Sequence, residues 1–515
     1  MRKRLLAVVG LTVFFLVAIA AITPCQDVVI TPERKAYLAT KPYKGITLEL
    51  MLTAEVFGTV NRYFADFWEK ETGGKVKITT VPFQNFHEKI FFDLLSGRGK
   101  YDAYMGGVWW YGDYFRGKGY IIPIDDYIKD PKFPQWGTET ILPGIEKYLT
   151  WGGKWYGIPL DHDTITMYYR RDILENPEYQ ARFKKEFGYD LPVPPQTTKE
   201  LIDAAKFFNG WDWDKDGKED YGVGLHLQVG ANAVFFTYLA WAAPYVISPE
   251  NDYFYFNPQN MKPLINSPGH KKALRDLVEL TKCGPRAMIG WNYDGAWDIF
   301  LKGDTVFCCS FGDLGGLVED PKRSIITGKL GVCQMPGTVE TYNPLDQKWV
   351  KMSKPNIVGN TLGGSWSYVI SRYSEHPEAT YDFLAYLARP DNMFWMDVRG
   401  WDGIDPGRTF VFLEPRGTAK IEDYVEQGWN ADDVREFTNA LYNTYSNPLQ
   451  QVNLRIPGAD EYFMALDVAG SRALTGELSA DEALDGLYKK WEEITNKLGR
   501  ETQLELYRSG TVGYK

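Results

Sequence analysis

Residues 154–174, KWYGIPLDHDTITMYYRRDIL, decide the fold. A short aromatic run leads through Pro159 to three adjacent ionisable residues, Asp161, His162 and Asp163. Ile165, Met167 and Tyr169 then alternate with smaller or polar neighbours up to a helix start at Arg170–Leu174. Alternating β-branched and aromatic side chains predict a strand. Three ionisable groups at its entry need partners, because burying an unpaired charge is strongly unfavourable. A connection that crosses a wet cleft between two lobes meets that need. Ile158–Asp163 is therefore expected to be the first hinge crossing.

Length agrees with two lobes. A chain of 515 residues exceeds what one hydrophobic core supports. The apolar share of 44% and charged share of 24% are those of a water-soluble globular protein. Net charge is −10, or near −13 (−10 − 3) once Arg2, Lys3 and Arg4 leave with a leader. An acidic surface argues against nucleic acid and anionic membranes as partners. The 17 Trp and 33 Tyr of such a chain point instead to stacking on neutral ligands. Met1–Ile22, basic and then apolar, is a secretory signal or an N-terminal anchor, so residues 1–26 are set apart and 27–44 form a polar linker. Cys25 stands where a lipoprotein cysteine would, although Pro24 departs from the usual motif. An extracytoplasmic location, in the periplasm or at the cell surface, is expected. None of the five cysteines (Cys25, Cys283, Cys308, Cys309, Cys333) has C-x-x-C spacing, so buried thiols are favoured over zinc or redox chemistry.

After the linker, Ile46–Leu52 and Lys75–Val81 have the composition of buried strands, and Tyr101–Met105 adds a third. Helical faces lie between them at Val56–Trp68 and Phe86–Leu95, closed by Gly73-Gly74 and Gly97. Right-handed crossovers fold such a run into a parallel sheet, with ligands beyond its carboxyl ends. Those ends carry Glu55, then Gln84 and Asn85, then GGVWWYGD with Trp109, Trp110, Tyr111 and Asp113. Two adjacent indoles cannot both face one core, so at least one is expected to meet the cleft. Further on, WDWDKDGKEDYG sets Asp212, Asp214, Asp216 and Asp220 at positions 1, 3, 5 and 9 of an EF-hand-like loop, with Gly217 and Lys218 between them. Val223 stands where that loop needs a bidentate acid. A structural Ca²⁺ and a solvated acidic turn are both open, and no other cofactor is expected.

In order, EKETGGKVKI, YDAYMGGVWW, GKWYGIPLDHDTITMYYRRDIL, FLKGDTVFCCSFGDLGGL and GGSWSYVISRYSEHPEATYDFLAYL resemble the extracellular solute-binding proteins of family 1. These are relatives of maltose-binding protein that feed ATP-driven sugar importers, and the resemblance runs from about Ile46 to Leu498. It implies an α/β, two-lobed periplasmic-binding-protein fold, each lobe a mostly parallel sheet flanked by helices, with three hinge crossings. These fall at Ile158–Asp163, Gly363–Ile370 and Leu387–Asn392. The lobes are then 45–160 with 366–392, and 161–365 with 393–515.

The resemblance also implies ligand roles for Asp161, Asp163, Asn232, Gly364 and Trp366, and for Asp313, which stands where the family has a stacking tryptophan. Leu225–Tyr245 is expected to be one apolar helix, and Ser479–Leu498 a last helix with a Ser479/Glu482 capping box. The implied function is the extracytoplasmic substrate-binding component of an ABC importer. It captures a carbohydrate by lobe closure as a monomer and delivers it to membrane permease subunits. A secreted glycoside hydrolase is the alternative, but it needs two carboxylates astride a bond, and Asp161 and Asp163 share one face of a strand. A surface-anchored receptor for a polyol or other solute, uncoupled from transport, is another. Which solute binds is left open.

Overall fold

A computed structural model describes residues 30–53, 56–117, 119–230, 233–362, 366–399 and 403–512. The strand–helix–strand–helix–strand run forms with bounds close to its sequence signals: Thr47–Thr53, Val56–Thr72, Lys75–Val81, Phe86–Ser96 and Ala103–Gly107. Helix Val56–Thr72 buries Val60, Phe64 and Trp68, the stripe its spacing predicts. Helix Phe86–Ser96 stops where Gly97 turns to a φ of 65°, a conformation that favours glycine.

One sheet holds, in order, Lys75–Val81, Thr47–Thr53, Ala103–Gly107, Trp366–Ile370 and Ile158–Asp161. The second holds Leu330–Gln334, Thr166–Arg170, Thr305–Ser310 and Tyr221–Gly224. Both are mixed, where mostly parallel sheets were expected. The first three strands pair in parallel, but Trp366–Ile370 runs antiparallel to both neighbours. Only Tyr221–Gly224 and Thr305–Ser310 pair in parallel in the second sheet. The crossings explain this. A strand returning from the other lobe enters at the end where local βαβ strands finish, so it runs against them.

Ile158–Asp161 and Thr166–Arg170 belong to different sheets, so the chain passes between the lobes at residues 162–165. It is back in the first sheet at Trp366, and helix Pro377–Leu387 packs there. Helix Ala431–Ser446 packs on the second sheet, against Leu330–Gln334.

Three segments differ from expectation. The apolar stretch 225–245 is not one helix; its helix is Ala233–Val246, preceded by irregular chain. Asp467 of helix Ala459–Leu474 accepts the Gly230 and Phe235 amides at 2.6 and 3.1 Å, holding a turn where a helix would continue. The linker 27–44 contains a docked helix, Pro32–Ala39, capped by Thr31 and tied to the first sheet's helix layer through Arg34 and Asp382. The long C-terminal segment also reaches back to the first lobe. Arg408 donates to Thr140 Oγ1 at 2.9 Å and the Ala388 carbonyl at 2.6 Å. Arg455 donates to the Lys147 and Thr150 carbonyls at 2.7 and 3.0 Å, between the Tyr111 and Trp151 rings. Both arginines are fully buried.

The last helix, Ala480–Leu498, has the Ser479/Glu482 capping box that the sequence signals. Cys283, Cys308, Cys309 and Cys333 are free thiols; Cys25 lies outside the described residues. No helix among the described residues is long and apolar enough to cross a membrane.

Candidate ligand cleft

The turn after Ala103–Gly107 delivers Trp109 and Trp110 to the junction of the lobes. Both indole N–H groups donate to one acid of the second lobe, Asp460: Trp109 at 3.0 Å and Trp110 at 3.1 Å to its nearer oxygen. His87 stacks on Trp110, centroids 4.6 Å apart, with its Nδ1 2.8 Å from Asp460. Trp366 lies 5.2 Å from Trp109 and 5.5 Å from Trp110, and Phe86 packs behind it. Phe236, from the second lobe, continues the cluster by touching Trp109 at 5.9 Å and Phe311 at 5.7 Å. Neither indole is open to solvent: Trp109 is 1% exposed and Trp110 2%, whereas one of the pair was expected to meet the cleft. The indoles use their polar edges to pin the two lobes together.

Tyr111 and Asp113, expected beside them as ligand groups, are engaged in packing. The Tyr111 hydroxyl lies 2.8 Å from Ser367 Oγ under the Arg455 guanidinium. Asp113 accepts the Gly458 amide at 3.1 Å, and burial pushes its carboxyl up to about 6. Asn85 is exposed at the end of the turn Phe83–Asn85. Glu55, Asn232, Gly364 and the side chain of Gln84 fall outside the described residues.

Beneath the aromatic cluster the crossings bring acids together. Asp161 ends its strand opposite Trp366, and Asp163 lies on the crossing two residues on. Asp405 comes from the turn GIDPGR, and its amide donates to Asp161 Oδ1 at 2.8 Å. Each of these three acids has a carboxylate oxygen within 4.8 Å of the other two. All are buried, at 4%, 7% and 1% exposure. Gly312 is where the second lobe closes on this group: a Cβ there would strike the Asp405 carboxylate. Asp313 follows at the start of a short helix. Burial, with repulsion among the four acids, pushes the Asp161, Asp163 and Asp405 carboxyls well above the usual range. Asp313 is pushed up to about 6, chiefly by burial.

Asp161, Asp163, Asp313 and Trp366 thus lie around one junction. Asp405, Phe236 and Phe311 join them without having been singled out. Asp405 carried a signal, an acid in a Gly-x-Asp-Pro-Gly turn, where tight backbone lets a carboxylate approach other chains. The two phenylalanines carried none beyond apolarity.

The aspartate loop is separate. Asp212, Asp214 and Asp216 present oxygens within 4.8 Å of one another. Asp220 is turned inward, its Oδ2 accepting the Trp213 and Asp214 amides at 3.0 and 3.3 Å. Lys218 places its ammonium 2.6 Å from Asp216, neutralising part of the charge that suggested a cation. Val223 is buried in a strand.

Two α/β lobes, joined by repeated crossings around a cleft, define a two-lobed periplasmic-binding-protein architecture. The sequence matches the bacterial extracellular solute-binding proteins over residues 52–394, and the chain belongs to that family. A probable ABC transporter-binding protein from Deinococcus radiodurans is 25% identical over 333 residues, 63% of this chain and 67% of that one. Two solved ABC-transporter solute-binding proteins share the fold at 21% identity. One, from Agrobacterium radiobacter and in complex with ribitol, has a TM-score of 0.66 over 88% of this chain and 100% of that one. The other, from Agrobacterium vitis and with bound D-mannitol, has a TM-score of 0.64 over 88% and 99%.

Proposed function

We propose that this chain captures a sugar or polyol between its lobes outside the cytoplasmic membrane and hands it to the permease of an ABC importer. The observation that carries this reading is the pairing of aromatic faces with acceptor-only groups at the hinge: Trp366 stands directly opposite Asp161. A sugar ring offers C–H faces to aromatics and hydroxyl donors to carboxylates. The polyols bound by the two Agrobacterium neighbours are of that class. Closure is driven by contacts that exist only when both lobes reach the solute, such as Phe236 and Phe311 on one side and Trp366 on the other. No catalytic step is assigned, since Asp161, Asp163 and Asp405 converge on one floor and do not stand astride a bond.

Titration with mono- and oligosaccharides and polyols, followed by intrinsic tryptophan fluorescence, tests the reading. A saturable change with at least one such solute is expected, with no product on long incubation. In Trp366→Ala the affinity for that solute is expected to fall more than about tenfold, and in Asp163→Ala it weakens without loss of the fold. Silence across the panel from folded protein, or steady consumption of the sugar, overturns the proposal.

A further inference from the structure

The acidic floor asks for more than hydroxyl donors. Asp405 is 1% exposed, yet among the described residues no N–H or hydroxyl donor reaches either of its carboxylate oxygens, and its side-chain partner is another acid, Asp163. It is not loosely placed, because its own amide is fixed on Asp161. Among the described residues no lysine or arginine forms an ion pair with Asp161, Asp313 or Asp405. Arg408, three residues from Asp405, directs its guanidinium to Thr140 and to the Trp136, Gly137 and Ala388 carbonyls. Hydroxyl groups can fill acceptor sites, but they leave like charges facing one another at short range.

The walls around this floor are aromatic. Trp366 pairs with Asp161 along the ladder, and Phe311 immediately precedes Gly312 at the Asp405 carboxylate. The Tyr293 ring meets Phe311 at 5.2 Å, and its phenol is pushed up chiefly by burial and then by the charges of Asp163, Asp467 and Asp313. A bare divalent ion asks for an oxygen cage, whereas an organic ammonium is attracted both by carboxylates and by aromatic faces. Resting on the sugar or polyol reading above, we propose that the captured solute carries a protonated amine, as in an amino sugar or amino polyol, whose ammonium sits on Asp161, Asp163 and Asp405. The Asp405 carboxylate, paired only with another acid, is the group that selects it.

Matched pairs separate the possibilities: glucose and glucosamine, galactose and galactosamine, sorbitol and its 1-amino-1-deoxy counterpart. They are titrated in chelator at neutral pH, with tryptophan fluorescence as the readout. In at least one pair the amine is expected to bind more than about tenfold tighter than its hydroxyl partner. N-acetylation, which removes the charge, is expected to abolish that preference. In Asp405→Asn the preference is expected to shrink below about threefold, circular dichroism confirming the fold. Equal binding within every pair, a preference that survives acetylation, or one unchanged in Asp405→Asn overturns the proposal. So does the same fluorescence change with Ca²⁺ or Mg²⁺ alone, which would make the floor a metal site. Neutral members binding alone leave the carbohydrate reading standing and sink only the ammonium; no binding by any member removes both. Should Asp405→Asn fail to fold, the acetylation comparison on the wild-type protein still decides.

Discussion

Asp382→Ala is expected to lower the unfolding free energy of the first lobe by about 3–5 kcal/mol and to free helix Pro32–Ala39 from it. Asp382 is wholly buried and collects the polar groups of three elements. Arg34 grips both of its oxygens, Trp68 Nε1 donates at 2.8 Å, and the Tyr43 hydroxyl at 3.1 Å. Burial still outweighs these partners, so that the carboxyl is pushed above its usual range despite the adjacent guanidinium. A pair of this kind therefore adds little net stability over an apolar pair of the same shape, while breaking it leaves Arg34, 5% exposed, as an uncompensated buried charge. Arg34→Ala alone is expected to be similarly damaging. The double variant Arg34→Met with Asp382→Leu should recover most of the loss. Urea unfolding followed by tryptophan fluorescence measures all three. A loss under about 1 kcal/mol in Asp382→Ala would show that the N-terminal helix is not held by this contact.

The contrast between that knot and the strands shows what the sequence exposes. Thr47–Thr53, Lys75–Val81 and the helices between them were legible because one short-range period, ended by glycine, fixes each element. The first crossing, expected at Ile158–Asp163 and found at 162–165 because Ile158–Asp161 is still a strand of the first sheet, was legible for a different reason: adjacent charges at a strand mouth are tolerated in few places. Pairings that join distant residues leave no local trace. Arg34 meets Asp382 across 348 positions and Trp109 meets Asp460 across 351, and nothing near either residue announces its partner. The same limit explains the site. Asp161 and Asp163 stood out by local pattern and Trp366 through the family resemblance, whereas Tyr111 and Asp113 had a ligand-like composition and were taken up by Ser367 and Gly458. Asp405 became visible only when the turn that carries it closed on Asp161.

The acidic floor also sets how stability depends on pH. A carboxyl whose folded pKa lies above its unfolded value of about 3.9 favours the folded state fully at low pH, and the benefit is lost as pH rises through the folded value. For Asp313, pushed up to about 6, that loss runs from about pH 4 to about pH 6 and amounts to about 3 kcal/mol. Asp161, Asp163 and Asp405 are raised further, so their contribution is lost at higher pH still. His162 and His270, both held down to about 3 chiefly by burial, run the other way. Each is neutral when folded and protonates on unfolding below about 6.5, so stability is lost as pH falls through that value. The ligand-free protein is thus expected to be most stable in mild acid and to weaken as pH rises through the neutral range, above about 6.5, where the histidines no longer contribute and the raised acids still lose protons. Replacing Asp405 by Asn removes one charge from the group and relieves its neighbours, so the variant's thermal midpoint should fall less over the same range and overtake wild type toward its alkaline end. Parallel profiles for the two proteins would mean that the buried carboxylates do not repel one another across the hinge. A saturating solute that supplies positive charge to this floor should flatten the wild-type profile in the same way, because the ammonium takes over the compensation that protons provide in its absence.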